Sequence, residues 1–171
     1  MSDRIWKPNC TVAALVEHQG RFLLVEEETT DGRRYNQPAG HLDHGESLQA
    51  ACVRETVEET GFAVEVTELL GIYQWSPTQH ADLTFLRFAY IARLHDTATA
   101  GLTVVNQTHA PEFADADRIA RLDQGIIRAV WLSYDEVLAC RDRHRSPLVL
   151  QCIDDYRAGR RYPLELIQHH D

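Results

Sequence analysis

The chain has 171 residues, the size of one globular domain, of which 44% are apolar and 25% are charged. This composition excludes a disordered chain, a collagen-like fibre and a disulfide-stabilised miniprotein. Lys and Arg number 17 against 26 Asp and Glu, so the net charge is -9, whereas proteins that bind nucleic acid non-specifically are basic. An acidic protein that handles phosphate groups needs added positive charge, and a divalent cation is the simplest source.

The N-terminal region and the cysteines predict a cytoplasmic protein. The apolar stretch Val12–Val16 is too short for a secretion signal. No run approaches the roughly 20 apolar residues that span a bilayer, so no membrane contact is expected. The cysteines are scattered without a zinc-binding spacing, and free thiols in a reducing compartment are expected. They are Cys10, Cys52, Cys140 and Cys152.

The first third of the chain predicts a β-hairpin followed by a loop. The segments Cys10–Glu17 and Arg21–Glu26 are rich in apolar residues, and the turn residues His18–Gly20 separate them. The polar segment Glu27–Arg34 contains an Asp-Gly pair, which is typical of a loop.

The next segment predicts an amphipathic helix over Ser47–Thr60. It consists of helix formers and ends at Gly61, a residue type favoured just beyond a helix. At about 100° per residue, Ala50, Val53 and Val57 fall within about 60°. We expect this narrow apolar stripe to pack on a sheet.

The rest of the chain predicts further strands, two helices and one long excursion. Residues 95–125 have few large apolar side chains and predict an excursion, with a short strand at Leu102–Val105. Strands and helices mix without strict alternation, which favours an α/β (α+β) fold in which helices flank a mixed sheet. The other predicted elements are strands at Phe62–Trp75 with a bend near Gly71, Leu83–Leu94 and Ile126–Leu132, a helix begun by a capping box of Ser133 and Glu136, and a last helix at Pro147–Ala158.

Three glutamates stand where a helix tolerates them poorly. Glu55, Glu58 and Glu59 lie within about 100° of one another on the predicted helix, so their charges repel. They also occupy its last turn, where the helix dipole disfavours negative charge. One interpretation is a solvated acidic surface. The other is a site for a hard cation such as Mg²⁺, with Arg54 holding a carboxylate in place.

The spacing of this region resembles the Nudix box, the signature of the Nudix hydrolases. The box reads Gly, five residues, Glu, seven residues, Arg-Glu, an apolar residue, any residue, Glu-Glu, any residue, Gly and an apolar residue. A chance match at all the fixed positions is rarer than roughly one in a million. Thr56 departs from the first apolar position, where its methyl group can still pack, and Phe62 matches the last. The matching fixed residues are Gly40, Glu46, Arg54, Glu55, Glu58, Glu59 and Gly61.

The resemblance runs nearly end to end and is strongest to NudJ-type phosphatases, which act on thiamine pyrophosphate, hydroxymethylpyrimidine pyrophosphate and some nucleotides. It implies a single Nudix domain over residues 1–171, folded as an α/β/α sandwich, with an insertion at about 95–122. The matching segments are Lys7-Pro8, Val25–Glu27, Asn36–Leu42, Gln74-Trp75, Phe85–Phe88, Arg145–Val149 and Arg161–Glu165.

The resemblance also implies a mechanism, in which water attacks phosphorus and a phosphoanhydride bond breaks. Mg²⁺, or Mn²⁺ in its place, neutralises the diphosphate, lowers the pKa of the water and aligns the oxygens. Glu55 or Glu58 is expected to deprotonate the water, while Arg54 and Glu46 shape the site around them. The implied metal ligands are Glu55, Glu58, Glu59 and the backbone carbonyl of Gly40.

Five residues outside the box are predicted to face the substrate. Arg87 is a charge in an apolar strand and binds either a substrate phosphate or a structural partner. Trp75 stacks on a substrate ring or belongs to the core, and Gln74 is expected to hydrogen-bond that ring. Gln37 precedes the box and either faces the site or is a polar strand end. Arg145 stands before a predicted helix N-terminus, which favours phosphate.

Four more polar residues have open interpretations. Asp123 or Gln124 is a candidate extra ligand from a late loop, although an amide is a poor ligand for Mg²⁺. His41 and His44 are interpreted as solvent-facing rather than as zinc ligands.

The predicted function is Mg²⁺-dependent hydrolysis of a small diphosphate such as thiamine pyrophosphate. A Nudix hydrolase of nucleoside di- or triphosphates is the first alternative, a non-enzymatic nucleotide-sensing module is the second, and an acidic interaction protein with no ligand is the third. The expected partner is the small-molecule diphosphate, with no nucleic-acid scaffold, and the expected assembly is a monomer or a small homo-oligomer.

Overall fold

The computed structural model describes residues 5–78, 80, 82–95 and 122–170. The predicted strand Leu102–Val105 and nearly all of the predicted insertion lie outside these ranges. The described residues form seven strands and three α-helices. The strands are β1 (Asn9–His18), β2 (Arg21–Thr29), β3 (Gly32–Asn36), β4 (Ala39–His41), β5 (Val64–Trp75), β6 (Phe85–Leu94) and β7 (Ile126–Ser133), and the helices are α1 (Leu48–Thr60), α2 (Tyr134–Ala139) and α3 (Leu148–Arg157).

The strands form one mixed sheet that divides into two halves at the hairpin of β1 and β2. These two strands pair only at Glu17–Phe22 and His18–Arg21, next to the turn. Beyond the turn β1 pairs in parallel with β6 and antiparallel with β4, whereas β2 pairs antiparallel with β3 and β7. The order β3-β2-β1-β6-β5 places β6, the strand predicted at Leu83–Leu94, in the interior of the sheet between β1 and β5.

The segment predicted as a loop, Glu27–Arg34, is instead the end of β2, a tight turn and the start of β3. The turn closes through the Thr29 hydroxyl, which donates to the Gly32 carbonyl at 2.6 Å, and Gly32 adopts a φ of 87°. Because β3 is an edge strand, its charged side chains stay in solvent and hide the strand signal. The loop prediction was wrong because the polar residues of this segment reflect the solvent exposure of an edge strand and not the absence of a strand.

Helix α1 begins and ends as predicted but packs on the other side. Ser47 caps its N-terminus and Gly61 its C-terminus, with a φ of 70°. Ala50 and Val57 of the predicted stripe are exposed, and Val53 is only half-buried. The face buried against the sheet carries small and polar residues, namely Ala51, Cys52, Glu55, Thr56, Glu59 and Thr60. The apolar-stripe prediction was therefore wrong, because the functional carboxylates share the buried face.

Helices α2 and α3 cover the opposite side of the sheet from α1, which gives the predicted sandwich. Ser133 and Glu136 form the expected capping box of α2. Val149, Cys152 and Ile153 of α3 are fully buried in the core on this side. All four cysteines are free thiols. Within the described ranges, no helix is long and apolar enough to cross a membrane.

Candidate active site

Helix α1 points two of its glutamates, Glu55 and Glu59, at the strand β4. Glu55 and Glu59 lie on the buried face at 7% and 8% exposure, while Glu58 is half-exposed beside them. Thr56 fills the apolar box position because its hydroxyl donates to the Cys52 carbonyl at 2.7 Å, so no polar group is left unpaired. The buried face of α1 thus carries Thr56 between the two carboxylates of Glu55 and Glu59 with its hydroxyl group hydrogen-bonded.

Arg54 connects three of the four glutamates of the box. Its guanidinium donates to both oxygens of Glu46, at 3.1 and 2.6 Å, and also to Glu55 at 2.8 Å and Glu58 at 2.9 Å. A further bond at 3.0 Å reaches the His41 carbonyl. The hydrogen bonds from Arg54 hold the pKa of Glu46 below its usual range. Arg54 therefore orients the carboxylates and offsets their mutual repulsion.

Gly40 leaves the space that the Glu55 carboxylate occupies. A Cβ atom on Gly40 would stand 2.1 Å from Cδ of Glu55 and 2.2 Å from both of its oxygens. Burial raises the pKa of Glu55 above its ordinary value against the effect of Arg54, and the charges of Glu58 and Asp123 add to the rise. The strand β4 and the helix α1 are in contact here because this position has no side chain.

Glu59 is held by the backbone next to Gly40. The amide of Ala39 donates to Glu59 Oε2 at 2.8 Å. Burial is the largest cause that raises the pKa of Glu59 to about 8, and the charges of Glu55, Glu27 and Asp123 contribute. So many carboxylates in one buried place predict a cation that neutralises them.

Three carboxylates converge on one point. Oxygen atoms of Glu55, Glu58 and Asp123 all lie within 4.8 Å of one another. The Asp123 amide donates to the Glu58 carbonyl at 3.1 Å, which anchors the late loop to the last turn of α1. An all-oxygen, carboxylate-rich set fits Mg²⁺ or Mn²⁺. Of the two late-loop candidates, Asp123 is therefore the residue that joins the site.

Arg87 is buried between the two halves of the sheet. Its guanidinium donates only long hydrogen bonds, 3.4 and 3.5 Å, to the Asn36 side chain. Among the described residues no ion pair within 4.0 Å involves Arg87. Burial lowers its pKa, while the charges of Cys152, Glu27 and Glu59 oppose this. Within the described part of the chain, the Arg87 guanidinium therefore lies near the carboxylates of Glu27 and Glu59 without a close ion-pair partner.

Gln37 and Arg145 lie at the α3 side of this space. The Gln37 amide nitrogen donates to the Val149 carbonyl at 2.8 Å, and its oxygen is buried without a partner among the described residues. Arg145 Nε lies 3.6 Å from Glu27 Oε1, and its backbone amide donates to the Tyr35 carbonyl at 2.8 Å. Hydrogen bonds with backbone groups therefore hold both residues in place.

The structure separates the two residues predicted to bind a substrate ring. Trp75 stacks on Phe85 with ring centroids 5.7 Å apart, and it lies on the same face as Arg87. Gln74 is exposed and, by strand alternation, points to the opposite face. The structure therefore groups Trp75 with Arg87 and leaves Gln74 apart. His41 and His44 are exposed, as expected for solvent-facing residues.

Glu27 is a site residue that the sequence analysis missed. A β-bulge between Glu26 and Glu27 breaks the pairing of β2 with β7, a device that re-aims side chains near active sites. Glu27 Oε1 is buried without a hydrogen-bond partner among the described residues. Burial raises its pKa, although Arg145 and Arg87 oppose the rise. The available signal was the pair of acids that directly follows the buried apolar residues of β2.

The chain is similar to a family of known hydrolases. The family model described as NUDIX domain matches residues 7–151. The protein named Phosphatase NudJ from Escherichia coli K12 is 35% identical over 163 residues, covering 95% of this chain and 92% of that protein. Phosphatase NudJ from Shigella flexneri matches with the same identity and coverage.

Solved structures give the same result. A NUDIX hydrolase from Nitrosomonas europaea is 43% identical, with a TM-score of 0.80, and the match covers 96% of this chain and 98% of that one. A MutT NUDIX hydrolase from Burkholderia pseudomallei has a TM-score of 0.62 at 17% identity, with coverage of 87% and 98%. The second likeness concerns the fold alone.

Proposed function

The chain belongs to the Nudix hydrolase family, and from this we propose that it hydrolyses a phosphoanhydride bond of a small diphosphate compound, with Mg²⁺ as cofactor. The observation that carries the proposal is the convergence of Glu55, Glu58 and Asp123 within 4.8 Å. All four box glutamates are present, which argues against a module that only senses a nucleotide. Water is the attacking group, and phosphorus is the atom attacked.

Glu55, Glu58 and Glu59 would hold the metal, with Asp123 and the Gly40 carbonyl as further candidates. A bound Mg²⁺ supplies charge neutralisation of the diphosphate and a lower pKa for the attacking water. Arg54 holds Glu55 and Glu58 side by side, through one nitrogen that donates to both. Either of these carboxylates is placed to accept the proton of the water, and Glu46 fixes the guanidinium from behind.

The phosphate groups of the substrate are proposed to lie between the glutamates of the box and the arginines Arg87 and Arg145. Arg87 supports this because a buried guanidinium with only long hydrogen bonds is ready to bind an anion. Arg145 and Gln37 approach the same space from the α3 side. Trp75, which lies at the far end of β5 on the same face as Arg87, completes the proposed substrate residues, whereas Gln74 on the opposite face could reach the substrate only from its other side.

The proposed substrate is thiamine pyrophosphate or hydroxymethylpyrimidine pyrophosphate, supported by the match to the proteins named Phosphatase NudJ. A cytoplasmic location is proposed on the four free thiols, which suit a reducing compartment. We further propose that residues 1–171 form one Nudix domain with an insertion at about 95–122.

The test is phosphate release from thiamine pyrophosphate and from a panel of nucleoside di- and triphosphates, each with Mg²⁺ and with EDTA. We expect Mg²⁺-dependent release that is fastest for thiamine pyrophosphate. Faster release from a nucleotide would replace the proposed substrate but keep the reaction. A Glu58→Gln protein purified in the same way controls for contaminating phosphatases. The absence of release from every diphosphate would refute the proposal.

A further inference from the structure

Glu26, one residue before the site residue Glu27, is the centre of a buried charged cluster. Its side chain is 4% exposed and binds two arginines, Arg128 at 2.7 Å and Arg143 at 2.5 Å. Its neighbours across β2 are Tyr35 on β3 and Arg128 on β7, so all three side chains share one face. Although burial alone would raise the pKa of Glu26, the two arginines lower it, so the carboxylate stays charged.

Arg143 is the member of the cluster that does not belong to the sheet. It comes from the short 3₁₀ turn Arg141–Arg143, between α2 and α3. Its guanidinium lies over the Tyr35 ring, 4.5 Å from the centroid, while it binds Glu26. The cluster therefore fixes this turn to β2 and β3 by an ion pair and a ring contact.

Further contacts align the turn with β3. Arg34 donates to the Asp142 carbonyl at 3.0 Å, and His144 forms a parallel bridge with Tyr35. The Arg145 amide then donates to the Tyr35 carbonyl at 2.8 Å. Arg145 is thus two residues beyond Arg143 and is held by the same tyrosine. Its side chain leaves the turn towards Glu27, 3.6 Å away.

We propose that Glu26 is a positioning residue for substrate binding: through Arg143 it fixes the turn that presents Arg145 to the substrate phosphate. The inference rests on the proposed function, in which Arg145 binds that phosphate. Glu26 and Glu27, on the two sides of the β-bulge, then have different roles. The first carboxylate holds the turn, and the second faces the site.

This role predicts an effect on substrate binding and little effect on the chemical step. The metal-binding carboxylates are held by Arg54 on α1 and by the Ala39 amide on β4, whereas the Glu26 cluster is built from β2, β3, β7 and the 3₁₀ turn. A more mobile turn therefore leaves the metal-binding carboxylates in place and affects only the position of the Arg145 side chain.

The two arginines that bind Glu26 provide a matched pair of variants. Their side chains are 37% and 38% exposed, but only Arg143 belongs to the turn. We expect Arg143→Met to raise KM for thiamine pyrophosphate, or for the best nucleotide of the panel, about fivefold, with kcat changed less than about twofold. Arg128→Met removes a comparable ion pair and should leave KM unchanged. Thermal unfolding curves of both variants check that they fold.

A double variant links the effect to Arg145. Arg145→Gln alone should raise KM, and adding Arg143→Met to it should raise KM no further. Equal KM values for Arg143→Met and Arg128→Met would overturn the inference, as would independent effects in the double variant. If Arg145→Gln leaves KM unchanged, the phosphate role of Arg145 fails, and the inference fails with it.

Hydrogen exchange separates this inference from the proposed reaction. The Arg145 amide should exchange faster in Arg143→Met than in Arg128→Met, because its bond to Tyr35 depends on the turn. If the wild-type protein hydrolyses no diphosphate, the proposed function fails, yet this comparison still decides whether Arg143 holds the turn. Equal exchange in the two variants would show that it does not.

Discussion

Gly40 and Glu55 occupy one space, since a Cβ atom on Gly40 would lie 2.1 Å from Cδ of the Glu55 carboxylate. This distance is far inside van der Waals contact, so any side chain at position 40 must displace the carboxylate or separate β4 from α1. Close packing of β4 on α1 therefore requires a glycine at position 40, because the carboxylate of Glu55, fifteen residues later, fills the space that a side chain would need.

We expect Gly40→Ala to lower the free energy of unfolding by about 1–3 kcal/mol and to weaken Mg²⁺ binding, because overpacking shifts Glu55. Urea unfolding and the Mg²⁺-induced rise in Tm measure the two effects. In a Glu55→Asp background the same change should cost less, since the shorter side chain withdraws the carboxylate. An equal cost in both backgrounds would show that the clash involves another group.

Glu58→Gln and Glu59→Gln should each fold normally and lose more than about 100-fold in kcat, because the amide removes a charge that holds the cation. Phosphate release with saturating Mg²⁺ measures the loss. Glu65→Gln is the control, since Glu65 is an exposed residue paired with Arg93 at 2.7 Å outside the site. Near wild-type turnover in both box variants would contradict the assignment.

The metal-free protein should lose stability as the pH rises. Burial raises the pKa of Glu59 to about 8, so the folded state binds a proton that the unfolded state has released. Stability then falls by up to about 1.4 kcal/mol per pH unit between roughly pH 4.5 and pH 8. Urea unfolding in EDTA at several pH values measures this slope. Glu59→Gln should flatten it, and Mg²⁺ should reverse it because the cation replaces the proton.

Arg87→Met should leave stability unchanged or raise it, while kcat/KM falls about tenfold to 100-fold. The buried guanidinium makes only long hydrogen bonds to Asn36, so an apolar side chain of similar length costs little in the free protein. The lost contact to a substrate phosphate is charge-assisted and worth about 1.5–3 kcal/mol. Unfolding and steady-state kinetics on one preparation test both parts. A destabilised variant with normal kinetics would make Arg87 a structural residue.

The local elements of this fold could be predicted because their signals are local. The hairpin of β1 and β2, the two caps of α1 and the capping box of α2 all follow from residues a few positions apart. Exposure misled the prediction at β3, whose charged side chains are those of a solvated edge strand. It misled again on α1, where Ala50 and Val57 face solvent.

The sequence by itself determined the family, the acidic helix and the box residues, because their spacing along one chain is also their spacing on one helix. Only the tertiary structure decided that Asp123 joins Glu55 and Glu58, that Glu27 turns into the site at a bulge, and that Gln74 points away from Arg87. These relationships join residues far apart in the chain. Their positions depend on strand register and packing, which no local pattern records.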